Sequence, residues 1–140
     1  MERGQTRDDE CRIPIHVDGD IVAARQAARE MASRLGFSRT DLTLIATDVS
    51  EVARNIVRFA GQGEIVIELL DQPQRGVRVV AMDTGPGIQD VAQALTDGYS
   101  TYHGLGLGLP GARRLMDEFA IMTEIGRGTT VTMTKWRADR

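Results

Sequence analysis

Three short blocks carry residue types that do chemistry, and they come in a fixed order along the 140 residues. The first is Glu51-Val-Ala-Arg-Asn55. An amide oxygen such as that of Asn55 is a ligand for a hard cation, and Mg²⁺ takes few protein ligands beside waters and substrate phosphates. Glu51, one helical turn back, can accept a proton from a hydroxyl or water held near that ion. The second block is Asp83-Thr-Gly-Pro-Gly87. An ionised Asp only accepts hydrogen bonds, so it suits the exocyclic amino group of an adenine. Gly85 and Gly87 allow a ring to approach the backbone closely. The third block is Gly104-Leu-Gly-Leu-Gly108. At a helix start its N–H groups favour anions such as phosphates. Each block alone has a plain alternative: a solvated helix face, an ordinary turn, a flexible connection. Together and in this order they describe a nucleotide site.

The elements that must position these blocks are legible from periodicity. Leu42, Ile45, Val49, Val52, Ile56 and Phe59 form one helical stripe. Ser38-Arg-Thr-Asp41 resembles a capping box at its start, and Gly61 and Gly63 close it. Successive helical residues turn by about 100°, so Asp48, Glu51 and Asn55 share a strip at the edge of that stripe. Residues 64–70 and 77–82 read as strands split by the turn Asp71-Gln-Pro-Gln-Arg-Gly76. Asp83 therefore stands at a strand end, facing a pocket floor. Residues 88–103 read as a mobile loop. Residues 105–118 read as a helix with Leu105, Leu107, Leu109, Leu115 and Met116 on its apolar side. A hairpin is expected over 119–125 and 129–136, around Gly126-Arg-Gly128. In it the Thr129 hydroxyl is placed to support the Asp83 contact, directly or by water, and Phe119 and Trp136 are expected in the core.

At the other end, Ile13, Ile15 and Val17 alternate with polar or small neighbours, which predicts a strand over 12–17. Pro14 puts that strand at a sheet edge. Asp18 and Asp20 are expected to cap a helix carrying Ile21, Ala24, Ala28, Met31 and Leu35, ended by Gly36. Neighbouring strands joined by short turns predict an α+β two-layer sandwich: a mostly antiparallel mixed sheet with helices on one face.

Composition narrows the function classes. The net charge is −3 and no basic stripe is present, which argues against a nucleic-acid partner. Cys11 is the lone cysteine, as expected of a reducing, cytoplasmic setting. Residues 1–10 contain six charged residues and no apolar stretch, so they are expected to be a flexible tail and not a signal sequence. Residues 11–140 are expected to form a single domain. No membrane span is expected. A literal G-x-G-x-x-G occurs at Gly106–Gly111, but the segment before it is not an apolar strand, so the dinucleotide reading fails. No P-loop lysine pattern occurs. Between Asp83 and Arg113 there is no Lys or Arg. Phosphate charge then falls to Mg²⁺, to backbone N–H groups, or to helix arginines such as Arg54 and Arg58.

These residues carry a resemblance. Glu51 to Asn55 resembles the N box of the GHKL ATPase/kinase superfamily. Asp83-x-Gly-x-Gly87 and Gly104-x-Gly-x-Gly108 resemble its two glycine boxes, and Gly128-Thr129 its closing Gly-Thr element. The match spans about residues 12–136. Asp20-Ile-Val-Ala-Ala-Arg25, Ser50 to Asn55, Asp83 to Ile88 and Leu115-Met-Asp-Glu-Phe119 are similar to the serine/threonine switch kinases of the bacterial stressosome. The resemblance implies a Bergerat-type fold, ATP and Mg²⁺ as cofactors, and a lid over about residues 88–104. It implies Glu51 as base and Asn55 as Mg²⁺ ligand. It also implies Asp83, Gly85, Gly87 and Thr129 around the adenine, and Gly104, Leu105, Gly106 and Gly108 around the phosphates. The implied substrates are STAS-domain scaffold proteins of the RsbS and RsbR type. The implied activation target is an RsbU-type phosphatase that leads to sigma-factor control. The alternative function is a nucleotide-gated binding module with little turnover. A histidine kinase is disfavoured, since neither His16 nor His103 sits on a predicted helix.

Overall fold

The computed structural model describes residues 6–7, 9–87 and 116–138. In chain order these form β1 (Thr6–Arg7), β2 (Glu10–Ile15), α1 (Asp18–Ser33), α2 (Arg39–Asn55), a π-helical turn (Ile56–Ala60), β3 (Gly63–Leu70), β4 (Gly76–Asp83), β5 (Glu118–Glu124) and β6 (Gly128–Trp136). The strands make one sheet in the order β1-β2-β3-β4-β6-β5. Every neighbouring pair is antiparallel, so no mixed direction occurs among the described strands.

Strand alternation sends one set of side chains toward the helices. Ile15, Ile65, Ile67, Val77, Val79, Val131 and Met133 pack there against Ala24, Ala28 and Met31 of α1 and Ile45, Val49 and Val52 of α2. The other face of the sheet is more polar. Val66 on that face is nonetheless buried. Arg12 sits directly opposite it and reaches Glu64 at 3.3 Å, while Arg78 reaches Glu68 at 3.2 Å. Val66 lies in register between Arg12 of β2 and Val80 of β4, and a long arginine stem beside it can cover apolar surface while its charged head stays wet.

Several boundaries differ from expectation. The strand predicted over 12–17 runs from Glu10 to Ile15, and Thr6–Arg7, expected in the tail, pairs with Glu10 and Cys11. Among the described residues that pairing stops at Cys11, and Pro14 pairs with Glu64 of β3. Neither Asp18 nor Asp20 is the cap of α1. Val17 holds that position in extended backbone, and the Asp20 carboxylate reaches back to accept from the N–H groups of His16 (2.7 Å) and Val17 (3.0 Å). These backbone bonds hold the Asp20 carboxyl below its ordinary range. At α2 the cap is as expected, with Ser38 Oγ accepting from Asp41 N–H at 3.1 Å. Ser38→Ala is expected to cost about 1 kcal/mol, read as a lowered urea midpoint with an unchanged slope.

The helix predicted over 105–118 lies outside the described residues except at its end. There Met116 and Asp117 form a bend and Glu118 is already strand. Phe119 packs against the core. Trp136, expected inside, is only half-buried. Its ring lies over Gly76, directly opposite on β4, where a Cβ would sit 2.5 Å from ring atom Cε3. Its indole N–H donates to Glu118 of the edge strand at 2.9 Å.

Candidate functional site

The last turn of α2 does not end in a simple cap. It runs into the π-helical turn, where Gly61 N–H donates to the Ile56 carbonyl at 2.8 Å. A π turn is rare and often marks a functional position. Here Val52, Asn55, Ile56, Phe59 and Ala60 all line one cavity. Its other wall comes from Ala81, Asp83, Pro86 and Gly87, and from Thr129 and Val131 of β6. The helix carrying Asn55 and the strand end carrying Asp83 thus face each other across a mostly apolar space.

Asp83 is fixed by backbone. Its Oδ1 accepts from Gly85 N–H at 2.8 Å and from Thr129 N–H at 3.2 Å. Neither bond uses Oδ2. The Thr129 hydroxyl, expected to support Asp83, instead pairs with Thr123 Oγ1 at 2.9 Å; the main-chain N–H makes the contact. Two glycines permit this geometry. Gly128 has φ +130, and a Cβ there would collide with the Asp83 carbonyl. A Cβ on Gly85 would lie 2.7 Å from Cβ of Ala60. The Gly128 requirement is long-range, because its neighbour is 45 positions away in the chain, and only the glycine itself hints at it.

Glu51 is half-buried one turn before Asn55, and Arg54 donates to its Oε2 at 2.9 Å. Asn55 presents an amide whose Oδ1 is buried at the cavity wall. Arg58 is exposed. Gly104, Leu105, Gly106, Gly108 and His103 lie outside the described residues. Asp48 is the largest departure from expectation on α2. The strip reading puts it at the edge of the core, yet it is 1 % exposed, and among the described residues its Oδ2 has no hydrogen-bond partner. Burial, then the nearby Glu51 carboxylate, push its pKa up to about 7, and Lys135 partly opposes them.

The chemistry of the cavity lining suits an adenine ring. Its apolar walls suit a flat ring, Asp83 supplies an acceptor at one polar edge, and the Asn55 oxygen suits a hard cation among phosphate oxygens. Among the described residues no helix is long and apolar enough to cross a membrane.

Residues 16–135 match the histidine kinase-like ATPase domain family, and the chain belongs to it. It is 46 % identical over 129 residues to the serine/threonine-protein kinase RsbT of Bacillus subtilis (strain 168), covering 91 % of this chain and 97 % of that one. The anti-sigma F factor of Clostridium novyi (strain NT) is 30 % identical over 118 residues, covering 80 % of this chain and 82 % of that one. The solved structure of full-length ShkA in complex with AMPPNP superposes with a TM-score of 0.55 at 20 % identity. It matches 92 % of this chain and 32 % of ShkA, so the chain spans about a third of that protein, and the likeness speaks for the fold. The chain is an ATP-binding serine/threonine-protein kinase of the GHKL type.

Proposed function

We propose that the chain phosphorylates serine or threonine hydroxyls on STAS-domain stressosome scaffold proteins of the RsbS and RsbR type. On release it binds and activates an RsbU-like phosphatase in a cytoplasmic partner-switching pathway that controls a sigma factor. Nearly full-length similarity to RsbT supports this reading. The observation that carries the site is that Asn55 and Asp83 line one cavity, with Glu51 one turn behind Asn55 on the same helix.

Asp83 would accept from the adenine amino group through Oδ2, while Gly85, Gly87 and the Thr129 backbone frame the ring. Gly104, Leu105, Gly106 and Gly108 would surround the phosphates. Asn55 would hold Mg²⁺, which when bound neutralises charge on the phosphate oxygens. In the transfer itself the acceptor hydroxyl oxygen bonds to the γ-phosphorus as the bond to the β-phosphate oxygen breaks. Glu51 takes the hydroxyl proton and ADP leaves. Asp83→Asn keeps an oxygen for the two backbone donors but turns an NH₂ toward the adenine amino group. ATP affinity is expected to fall about 10- to 100-fold, the scale of a lost hydrogen bond to a charged group. Calorimetric titration reads this, and an unchanged affinity removes Asp83 from the adenine site.

The testing experiment mixes the protein with Mg-ATP and a STAS-domain scaffold protein of the same genome, and reads that partner's intact mass. One added phosphate, absent with Glu51→Ala, is the expected result; no addition while ATP binds overturns the kinase substrate. One observation favours a second reading, a nucleotide-gated binding module. The Glu51 carboxylate is engaged by Arg54 at 2.9 Å, which competes with its use as a base. Under that reading a Glu51→Ala protein still switches partners normally.

A further inference from the structure

α2 carries one acid that its packing does not explain. Asp48 lies among Ile45, Val49 and Val52, all fully or nearly fully buried, where an apolar side chain would fill the same space. A buried carboxyl oxygen without a hydrogen-bond partner destabilises a fold. Asp48 caps no helix end, and among the described residues its Oδ2 accepts from no donor. What distinguishes the position is its place. It is one helical turn before Glu51, whose carboxylate favours the protonated form of Asp48.

We propose that Asp48 is a positioning residue of the phosphoryl-transfer site: its buried carboxyl places a removable negative charge behind the Glu51 base. This rests on the reading of Glu51 as base. When Asp48 holds its proton, Glu51 carries the only negative charge of the pair. When Asp48 releases it, a second negative charge sits one turn away in a poorly solvated position. That charge strengthens the pull of Glu51 on the substrate hydroxyl proton.

The groups around Asp48 make this exchange accessible near neutral pH. Burial and Glu51 favour the protonated form, and Lys135 of β6 favours the ionised one. Arg54 is occupied with Glu51, on the same helix. From α1, Arg29 reaches α2 at Thr43 Oγ1, more than a turn from Asp48. On β4, Arg78 belongs to the opposite face of the sheet and is engaged by Glu68. Among the described residues the charge on Asp48 is therefore set by Glu51 and Lys135 against burial.

Two measurements on the full chain test this. The first follows the Asp48 carboxyl carbon by NMR across pH in the wild type and in Glu51→Gln. Its midpoint is expected near neutrality in the wild type and lower in Glu51→Gln. The second follows transfer to the scaffold protein across pH in the wild type, Asp48→Asn and Asp48→Glu. The wild type is expected to rise about three- to tenfold through neutrality, as a neighbouring charge strengthens a general base. Asp48→Asn should lose that rise and Asp48→Glu should keep it. An Asp48 midpoint unmoved by Glu51→Gln overturns the proposal whatever the activity does, and so does a wild-type profile retained in Asp48→Asn. A midpoint that moves in a protein that transfers no phosphate to the scaffold protein at any pH supports the coupled pair and removes that scaffold as the substrate instead.

Discussion

Glu51→Ala is expected to lower phosphoryl transfer by about 10²- to 10⁴-fold, the contribution of a positioned general base. ATP affinity should stay nearly unchanged, because Glu51 is not among the residues lining the cavity between Asn55 and Asp83. Stability should also change little. The side chains of Glu51 and Arg54 are each about one-third exposed, and a helical pair of this kind contributes about 0.2–0.5 kcal/mol. Single-turnover transfer and equilibrium nucleotide binding, measured side by side, separate the two effects. A variant that still transfers at the wild-type rate removes Glu51 as the base. A variant that stops binding ATP shows that Glu51 acts in the ground state.

Asp48→Asn is expected to stabilise the protein in a pH-dependent way. The sign follows from the raised pKa. Below about pH 4 the carboxyl is protonated in both folded and unfolded chains, and the variant gains nothing. Between 3.8 and about 7 the unfolded chain releases the proton and the folded chain keeps it, so wild-type stability falls as pH rises. Above about 7 the deficit is complete and constant. At about 1.4 kcal/mol per pKa unit its scale is on the order of 2–4 kcal/mol. Asparagine never ionises and escapes this loss. Denaturant unfolding of both proteins at pH 4.5 and pH 8 is the check. Curves that differ equally at both values would contradict a proton held by Asp48.

The sequence made the frame of the site readable wherever one physical signal dominated. The α2 stripe from Leu42 to Ile56 and the Ser38 cap left little choice of helix, and the alternation in β3 and β4 placed Asp83 at a strand end. Asp20 was harder, because a carboxylate that reaches back to an N-cap leaves an apolar Val17 in the capping position itself. The π turn was illegible, since the spacing from Ile56 to Phe59 suits an ordinary helix equally well. Asp48 was misplaced by the same helical-wheel logic that placed Glu51 and Asn55 together. A wheel gives direction around an axis, and the depth of packing against the sheet decides which side of that strip is dry. The Thr129 contact was assigned to the hydroxyl because side chains are visible in a sequence and backbone N–H groups are not.

The single tryptophan makes the molecule its own optical reporter. Trp136 is tethered by its indole N–H to Glu118 of the edge strand. Along β6 it is seven residues from Thr129, about 23 Å at the rise of an extended strand. Its emission therefore reports on the seating of β5 against β6 and is insulated from local contact with a nucleotide. A fluorescence change on adding ATP would be a signal carried along the whole strand, and silence would leave the same dye-free channel open for following partner capture at that edge.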